Sequence, residues 1–560
     1  METNKNNNNP KMSVEDVDFD NIVQKDKMYN TILRSQNVAY ITRLTRVISQ
    51  IDALTKLIES IEEPDYHNIY YGDNEEVLAQ IENLRNLIKT TQDKKKKQEY
   101  IDELRKYEPD TEEKYAILID VILKTAEDIG LGFGINNTYP YFYNGTFWEA
   151  AVEEFAKEII TLIAQNCGFA YYKVRLVKNI TKLYQQFCAS GYIPQPKREL
   201  GIIKINFKNG RLTIKDGKPK FEENKFSSKD FFKYQLGFEF NREAKAEKFL
   251  KYLNRVLPEK EAQMVLAEYL GYIFTNVKME KCVVLFGPGH SGKSVLHDIV
   301  NAMLGIDNVS SYTLSNLCDN NGYYRAQLGN VLLNYCSELG GKGCNPDMVK
   351  QLISGEPVSC RSPYGTPLIL RDYCKFMFNT NLIPQDTEKT SAFFRRFIFI
   401  VFDQVISKEE KNENLAKEII EEEMSGVFNW VLCGLDRFMK NKGFTESKHI
   451  NDAMEEIKID SDSVREFMYK EGYEPDITQR EHQEKKILFE QYGRFCEEGK
   501  YKGVSSKEFT RRLQDCGYTV EQGKTNNQTW VYCKDGSEES QRGIDDLIER
   551  TMSVGKKNNQ

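Results

Sequence analysis

Apolar residues near the start of the chain recur at intervals of three and four, which is the spacing of one face of an α-helix. A polar segment, EEPDYHNIYYGDN at 62–74, separates two such series. Together they predict an antiparallel helical hairpin over residues 37–108, and the Asn- and Lys-rich residues 1–36 are expected to be disordered. The hairpin positions are Leu44, Val47, Ile51, Leu54, Ile58 and Ile61, followed by Val77, Ile81, Leu84 and Ile88.

Beyond the hairpin the pattern changes to an alternation of strands and helices. Residues 112–277 are predicted to be mostly helical, with β-hairpins at Asn144-Gly145 and Asn209-Gly210. Between residues 278 and 403, four apolar runs have the length of buried strands. These runs are KCVVLF, NVLLNYC, CKFMF and FIFIVF. The first is followed by the helical pattern SVLHDIVNAML, so this part of the chain predicts an α/β core.

The C-terminal part of the chain is predicted to hold a helical lid and a winged helix. The lid covers residues 407–460 and contains one long amphipathic helix from Asn414 to Met439. Residues 462–535 predict two helices and a β-hairpin wing, in which Ser505 and Glu508 have the spacing of a capping box. Residues 536–560 are expected to be a mobile tail. The fold class is therefore multidomain α/β, with helical N-terminal regions and a C-terminal winged helix.

Composition narrows the class of protein without assigning a function. The chain of 560 residues is too long for a single core, and a formal net charge of −7 argues against a surface coated with basic patches. Twelve cysteines occur without a C-x-x-C pair, which favours free thiols over a zinc ribbon. The sequence contains no run of eighteen apolar residues and no signal-peptide core at its start, so we expect no membrane partner and a cytoplasmic location.

The segment GPGHSGKS has the spacing G-x-x-x-x-G-K-S and lies between a predicted strand and a predicted helix, which is the context of a phosphate-binding loop. Its backbone N–H groups would surround the phosphates of ATP, Lys293 would reach the β- and γ-phosphates, and Ser294 would hold Mg²⁺. A chance match of the motif is the alternative, and the flanking elements argue against it. The predicted nucleotide-binding residues are Gly287, Pro288, Gly289, His290, Ser291, Gly292, Lys293, Ser294 and Val295.

Hydrolysis needs further groups, and the following strands end in suitable residues. Glu338 follows the strand NVLLNYC and is the candidate general base. Glu338 and Ser294 are also the candidate Mg²⁺ ligands. Asn381 follows the next strand and is the candidate γ-phosphate sensor, and Arg395 and Arg396 precede the last strand. Each has a structural alternative, namely a solvated glutamate, a turn asparagine and a surface ion pair. Their order behind the phosphate-binding loop favours the catalytic interpretation.

This order of motifs resembles superfamily III helicases of the poxvirus and phage or plasmid primase–helicase type. The resemblance covers about residues 140–535 and rests on short stretches in and around the predicted core. These stretches are INFKNGRLTI, GPGHSGKS, CSE, KQLISGEPVSCRSPYGTPLIL, FNTNLIP, FFRRF and SGVFNWVLCGL. Two positions depart from the family pattern. Ser354-Gly355-Glu356 stands where Gly-Gly-Asp is frequent, and Ser337 rather than a second acid precedes Glu338, which leaves Mg²⁺ coordination to Ser294 and waters alone as an alternative.

The resemblance implies a hexameric AAA+ ring with ATP bound between subunits and an arginine finger supplied in trans, for which we favour Arg396 over Arg395. It also implies a hairpin that projects into the central pore and grips single-stranded DNA. Lys350, Arg361 and Tyr364 fall in that segment, and SPYGT would form its tip. An aromatic side chain there would stack on bases without reading their identity.

Two further expectations concern the ends of the chain. In the winged helix, Lys507, Arg511, Arg512 and Lys524 are placed to meet the backbone of duplex DNA, with a protein contact as the alternative. At the N-terminal end we find no β-framework with clustered carboxylates that a primase would need. The predicted hairpin would instead form a collar, or recruit a primase or another replication protein.

The leading hypothesis is an ATP-driven hexameric DNA helicase for replication of a phage, plasmid, virus or related mobile element. Its partners would be single-stranded and forked duplex DNA. The resemblance to superfamily III helicases implies translocation in the 3′→5′ direction. Two alternatives stay open: an initiator or remodelling ATPase without processive unwinding, and a nucleotide-switched scaffold. The scaffold would not need a water-activating carboxylate such as Glu338, whereas both ATPases would.

Overall fold

The computed structural model describes residues 48–136, 139–194, 201–340, 344–361, 367–381, 394–499, 501, 503–523 and 528–535. The chain divides into two compact units, which are described separately below. Unit 1 comprises Met1–Leu200 with Lys225–Gln235, and unit 2 comprises Gly201–Asn224 with Leu236–Gln560. Within the described ranges, no helix is both long enough and apolar enough to cross a membrane.

Unit 1 is mostly helical and carries one small antiparallel sheet. Its helices are α1 (Ile48–Ser60), α2 (Tyr66–Tyr71), α3 (Glu75–Thr90), α4 (Lys94–Leu104), α5 (Thr111–Asp128), α6 (Glu153–Asn166), α7 (Tyr171–Val174) and α8 (Val177–Ser190). Its strands are β1 (Gly132–Asn136), β2 (Tyr139–Tyr143) and β3 (Trp148–Ala150), in that order across the sheet. The β2–β3 connection confirms the hairpin predicted at Asn144-Gly145, because Tyr143 pairs with Trp148.

The N-terminal helices of unit 1 differ from the predicted two-helix hairpin. The second predicted helix is interrupted after Thr90, where Asp93 accepts from the backbone of Lys95 and begins α4. The apolar seam of α1, represented by Leu54 and Leu57, is buried in one core with residues of α5, α6 and α8. The periodicity therefore identified a buried helix face, but its partners lie much later in the chain.

Unit 2 begins with an antiparallel sheet and two helices that lead into a second, parallel sheet. The first sheet contains β4 (Ile202–Phe207), β5 (Gly210–Lys215) and β6 (Lys218–Glu223), and the helices are α9 (Glu247–Val256) and α10 (Lys260–Tyr272). Phe207 pairs with Gly210, which confirms the hairpin predicted at Asn209-Gly210.

The parallel sheet forms the centre of unit 2. Its strands are β7 (Cys282–Phe286), β8 (Val309–Ser310), β9 (Leu333–Cys336), β12 (Lys375–Thr380) and β13 (Phe397–Val401). Between them lie α11 (Lys293–Leu304), α12 (Leu314–Leu317), α13 (Tyr323–Gln327), α14 (Pro346–Ser354) and the antiparallel pair β10 (Val358–Cys360) and β11 (Leu368–Leu370). The strand order is β13-β7-β12-β9-β8, and every neighbouring pair is parallel. The carboxyl ends of all five strands therefore share one edge of the sheet, where α/β proteins place their ligand sites.

The region after the sheet is helical, as expected, but the long helix predicted from Asn414 to Met439 is divided at Glu423. Its parts are α15 (Leu415–Glu422) and α16 (Met424–Asn441), and α17 (Lys448–Ser461) follows. The Glu423 carboxylate accepts from the backbone N–H groups of Lys248 and Phe249 at 2.9 and 3.0 Å. Glu423 thus satisfies the free N–H groups at the start of α9.

The C-terminal part of unit 2 combines helices with antiparallel strands. The helices are α18 (Ser463–Lys470), α19 (Lys485–Gly499) and α20 (Ser506–Asp515), and the strands are β14 (Tyr473–Pro475), β15 (Gln483–Glu484), β16 (Thr519–Gln522) and β17 (Thr529–Asp535). β17 pairs with each of the other three strands. Phe467, Leu488, Phe509 and Val531 bring these elements into one core. The winged-helix interpretation stays a prediction.

Candidate functional site

The loop between β7 and α11 depends on glycines at two positions where the backbone has no room for a side chain. A Cβ on Gly287 would lie 2.1 Å from the carbonyl oxygen of Phe402, and a Cβ on Gly292 would lie 2.7 Å from Val256 Cγ1. Gly292 also has a φ of +90°, a conformation that side chains disfavour. Packing alone therefore requires glycine at Gly287 and Gly292, independently of their predicted role in phosphate binding.

Lys293, the first residue of α11, directs its side chain back into this loop. Its side chain is buried, and the ammonium donates to the carbonyl oxygens of Gly287 and Pro288, both at 2.8 Å, and to the Ser291 hydroxyl at 3.0 Å. Burial lowers the pKa of the Lys293 ammonium. The loop thus holds a desolvated positive charge at the N-terminal end of α11, where the helix dipole also favours an anion.

The outer part of the loop is open to solvent. Pro288, Gly289, His290 and Ser294 are exposed, and a Cβ on Gly289 would meet nothing within 4 Å, whereas Ser291 is buried and Val295 is half-buried. His290 adopts a left-handed conformation with φ +61°, and its carbonyl oxygen accepts from the N–H of Ile406 at 2.9 Å. The side of the loop formed by Pro288, Gly289 and His290 is therefore open to solvent.

Tyr252 is a contact of the loop that the sequence did not indicate. Its hydroxyl donates to the carbonyl oxygen of Gly292 at 2.9 Å from helix α9, forty residues earlier. The Tyr252 side chain is buried, and this burial raises the pKa of its phenol well above the usual range. No local pattern marks such a residue, because only the tertiary fold brings α9 against the loop.

Glu338 and Asn381 lie at the same edge of the sheet as the loop. Glu338 is exposed two residues after β9 ends, and Asn381 is exposed one residue after β12 ends. β12 lies between β7 and β9, with Thr380 opposite Phe286 and Phe378 opposite Cys336. The N–H of Gly287 donates to the carbonyl oxygen of Thr380 at 3.3 Å. Asn381 thus directly follows a residue bonded to the loop, and Glu338 lies just beyond the end of β9, the next strand along the sheet.

The two arginines lie at the opposite edge of the sheet and differ in exposure. Arg395 is exposed, and its backbone carbonyl oxygen accepts from the Lys281 ammonium at 2.5 Å. Arg396 is buried, donates from Nε to the Ser354 hydroxyl at 3.0 Å, and places Nη2 3.6 Å from the Glu280 carboxylate. Burial and the two nearby arginines lower the pKa of Lys281. Arg395 is therefore accessible to a neighbouring subunit, whereas the side chain of Arg396 is buried. This difference favours Arg395 as the finger over our expected choice, Arg396.

The segment predicted to enter the pore contains the antiparallel pair β10–β11, and Val358 pairs with Leu370 at its base. Arg361 directly follows β10, and its guanidinium lies 5.4 Å from the centre of the Tyr323 ring. Lys350 lies on α14 with its ammonium 3.4 Å from Asp347 Oδ1. Tyr364 and the rest of SPYGT lie outside the described residues.

The basic residues of α20 are largely paired with acids. Arg511 contacts Glu508 at 2.6 Å and Asp515 at 3.2 Å, and Arg512 contacts Glu508 at 2.9 Å and Asp462 at 3.1 Å. These arginines, with Arg511 the larger contributor, lower the pKa of Glu508 to about 2. The Glu508 N–H donates to Ser505, as predicted for a cap, while its carboxylate is engaged by the arginines. Lys507 is exposed, and Lys524 lies outside the described residues.

The proposed Mg²⁺ ligands fit a site that relies on nucleotide and water. Within the described part of the chain, no group of three or more His, Cys, Asp or Glu side chains could hold a metal ion. Mg²⁺ commonly binds through one or two protein oxygens and the phosphates of its substrate, and it keeps several waters. Ser294 and Glu338 are exposed and carry side-chain oxygens, so their chemistry is compatible with this pattern of Mg²⁺ coordination.

A protein family matches part of this region, and solved structures match a larger part of the chain. The family described as "Family of unknown function (DUF5906)" matches residues 285–396. A solved A-form apo structure of the NrS-1 C-terminal region is similar at 15% identity and a TM-score of 0.41, covering 74% of this chain and 98% of that chain. A second apo structure of the NrS-1 C-terminal region (305–718) is similar at 14% identity and a TM-score of 0.40, covering 76% and 100%.

Proposed function

We propose that the protein is an ATP hydrolase that uses its parallel sheet as the catalytic platform and couples hydrolysis to movement on DNA. The observation that carries the proposal is the strand order. It brings the Lys293 loop, Asn381 and Glu338 to one edge of the sheet on three neighbouring strands. Phosphoryl transfer to water needs a phosphate-binding loop, a γ-phosphate contact and a group that orients water, and these three residue types supply them.

Each residue has a distinct role in the proposed reaction. The N–H groups at the start of α11 and the Lys293 ammonium bind the phosphates, so the ammonium must leave its present carbonyl partners for phosphate oxygens. Ser294 and Glu338 would hold Mg²⁺, which neutralises charge on the β- and γ-phosphates when bound. Asn381 donates to the γ-phosphate, and Glu338 orients the attacking water and accepts its proton.

The position of Arg395 supports an oligomeric enzyme. β7 runs from the arginine edge to the loop edge, and five residues of strand span roughly 15 Å at about 3.3 Å per residue. An arginine at the far edge of the sheet cannot easily reach the phosphates of its own loop. In a ring, a neighbouring subunit can present its arginine edge to the loop, so we assign the trans finger to Arg395. We therefore propose a closed homo-oligomer, and the resemblance to superfamily III helicases implies a hexamer.

The DNA-binding part of the proposal rests on the β10–β11 pair. A two-stranded ribbon with Arg361 at its end and Lys350 on the preceding helix offers cations to a phosphate backbone. We propose that this ribbon grips single-stranded DNA, with 3′→5′ travel, in replication of a phage, plasmid, virus or related element. Unit 1 would then recruit a primase or another replication protein.

The experiment that tests this function is unwinding of a forked duplex by the full chain with ATP. We expect strand separation by the wild type and none by Lys293→Ala. Neutralising Lys350 and Arg361 together should abolish unwinding while basal hydrolysis continues. Hydrolysis without unwinding by the wild type would identify a remodelling ATPase instead, and ATP-dependent assembly with negligible turnover would identify a nucleotide-switched scaffold.

A further inference from the structure

Arg325, on the short helix α13, is a buried arginine whose guanidinium bonds to backbone carbonyl groups from two separate segments. Its side chain is almost fully buried. Nη1 donates to the carbonyl oxygens of Leu317 and Asp319 at 2.6 and 2.7 Å, and Nε donates to the carbonyl oxygen of Ser359 at 2.9 Å. A buried cation is costly unless it is well bonded, so this geometry holds both segments to one side chain.

The surroundings of Arg325 leave little freedom. The Asp319 carboxylate lies 3.6 Å from Nη1 and accepts from the N–H of Gly322 at 2.8 Å. Gly322 has a φ of +76°, and a Cβ there would lie 2.9 Å from Arg325 Nη2 and 3.0 Å from the Cα of Cys360. The guanidinium, the turn before α13 and the strand β10 are therefore packed against one another without space for another side chain.

One of the two segments leads to the candidate general base. Leu314, at the start of α12, donates its N–H to the carbonyl oxygen of Leu339 at 3.1 Å, and Leu339 directly follows Glu338. A Cβ on Gly340 would lie 2.9 Å from Thr313 Cβ, so the chain after Glu338 lies close against the start of α12. α12 ends at Leu317, whose carbonyl oxygen is one of the acceptors of Arg325.

The other segment is the ribbon proposed to hold DNA. Ser359 is the central residue of β10 and pairs with Ile369 on β11. Arg361, at the end of the same strand, lies over the ring of Tyr323, two residues before Arg325. α13 thus contacts the ribbon at two points, while Arg325 also contacts the segment attached to the Glu338 strand.

We propose that Arg325 is a positioning residue that couples the nucleotide site to the DNA-binding ribbon. A change at Glu338 on nucleotide binding would move α12, and the Arg325 fork would transmit that movement to β10. The inference rests on the proposed function, because it takes the ribbon as the DNA contact and Glu338 as part of the ATP site. The planar fork of arginine is needed, since one lysine ammonium does not present a rigid set of donors in these separate directions.

The test measures how much bound nucleotide changes affinity for DNA. Binding of a fluorescent oligo-dT single strand is titrated with and without a non-hydrolysable ATP analogue, using the full chain. Coupling between two sites commonly changes affinity by about 5- to 150-fold, and we expect the wild type to fall in this range. In Arg325→Met we expect the ratio of the two DNA affinities to fall to within about twofold of unity, with analogue affinity measured without DNA unchanged.

Arg437→Met is the matched control. Arg437 Nε donates to the buried Glu268 carboxylate at 2.6 Å and Nη2 donates to the carbonyl oxygen of Met264 at 3.1 Å, so these bonds join α16 to α10 and involve neither Arg325 nor the ribbon. This variant should keep the wild-type ratio. If Arg325→Met does not fold, the same ratio of DNA affinities with and without the analogue is measured for Arg325→Lys. We expect this ratio to be smaller than in the wild type, although lysine retains the positive charge.

The outcomes separate this inference from the proposed function. A folded Arg325→Met or Arg325→Lys protein with the wild-type ratio overturns the coupling role. Loss of analogue binding together with DNA binding in the folded Arg325 variants also overturns it, because the residue would then support the whole core. A wild type that binds analogue and DNA independently contradicts the coupling alone, whereas a wild type that binds no DNA contradicts the proposed function itself.

Discussion

The Tyr335 hydroxyl donates a 3.0 Å hydrogen bond to the side-chain oxygen of Asn379, and both side chains are buried. Tyr335 lies on β9, three residues before Glu338, and Asn379 lies on β12, two residues before Asn381. The bond therefore ties together the two strands that carry the candidate base and the candidate phosphate sensor. Removal of the hydroxyl would leave a buried amide oxygen without this donor.

We expect Tyr335→Phe to lower stability by about 1–3 kcal/mol, the usual cost of an unsatisfied buried polar group. Thermal unfolding is measured with and without an ATP analogue. The transition that the analogue shifts is taken as unfolding of the core that contains the loop, and its midpoint is compared between the variants. Tyr469→Phe is the control, because Tyr469 is 68% exposed and its change should stay within about 0.5 kcal/mol. Equal shifts in the two variants would argue against the bond.

Arg395 and Arg396 should give different results when each is replaced by alanine. For Arg395→Ala we expect hydrolysis to fall by about 10³- to 10⁵-fold, the range of an arginine finger, with little loss of stability. Arg396→Ala should instead destabilise the core, because it removes the guanidinium that contacts Ser354 and Glu280. Turnover and thermal unfolding of both variants distinguish the two effects.

Mixed assemblies test whether the finger acts between subunits. Arg395→Ala subunits keep an intact loop, and Lys293→Ala subunits keep an intact arginine. If Arg395 acts in trans, mixing the two inactive proteins restores part of the hydrolysis at shared interfaces. A mixture as inactive as its components would show that Arg395 does not complete a neighbour's site.

Two glycines in helices differ in the space around them, and this difference predicts opposite effects of their replacement by alanine. A Cβ on Gly434 would lie 2.3 Å from the backbone carbon of Ala267, so Gly434→Ala should cost about 1–3 kcal/mol or more through overpacking. A Cβ on Gly493, in α19, would meet nothing within 4 Å, and Gly493→Ala should stabilise its helix by up to about 1 kcal/mol. Thermal unfolding measures both, and a neutral Gly434→Ala variant would contradict the close packing.

Glu508 predicts an acid-dependent loss of stability around α20. Its folded pKa of about 2 is below the ordinary value of 4.5, so its contribution is present above pH 4.5 and is lost as the pH falls towards 2. We expect Glu508→Gln to flatten this part of the pH dependence, while Glu498→Gln, at an exposed position of α19, should not. The measurement is unfolding followed by Trp530 fluorescence, with Trp148 and Trp430 replaced by phenylalanine. The same slope in both variants would contradict the assignment.

The sequence predicted features that depend on local pattern and missed those that depend on distant contacts. The β-hairpins and the glycine-dependent loop between β7 and α11 were predicted because turn residues and glycine spacing are local signals. The burial of Arg396 and the Tyr252 contact depend on how separate elements pack, which one sequence does not show. Likewise, the apolar periodicity continues through Glu423, where the helix is divided and the carboxylate caps α9.

ATP hydrolysis by the full chain, measured with and without single-stranded DNA for the wild type and Glu338→Gln, tests the proposed hydrolase activity and its link to DNA together. We expect DNA-stimulated turnover by the wild type. Because general-base catalysis typically contributes about 10²- to 10⁴-fold, we expect turnover to fall by that factor in Glu338→Gln while nucleotide binding is retained. Wild-type turnover by Glu338→Gln would contradict the role of Glu338 as the base, and a wild type that binds ATP without hydrolysing it would contradict the proposed hydrolase activity.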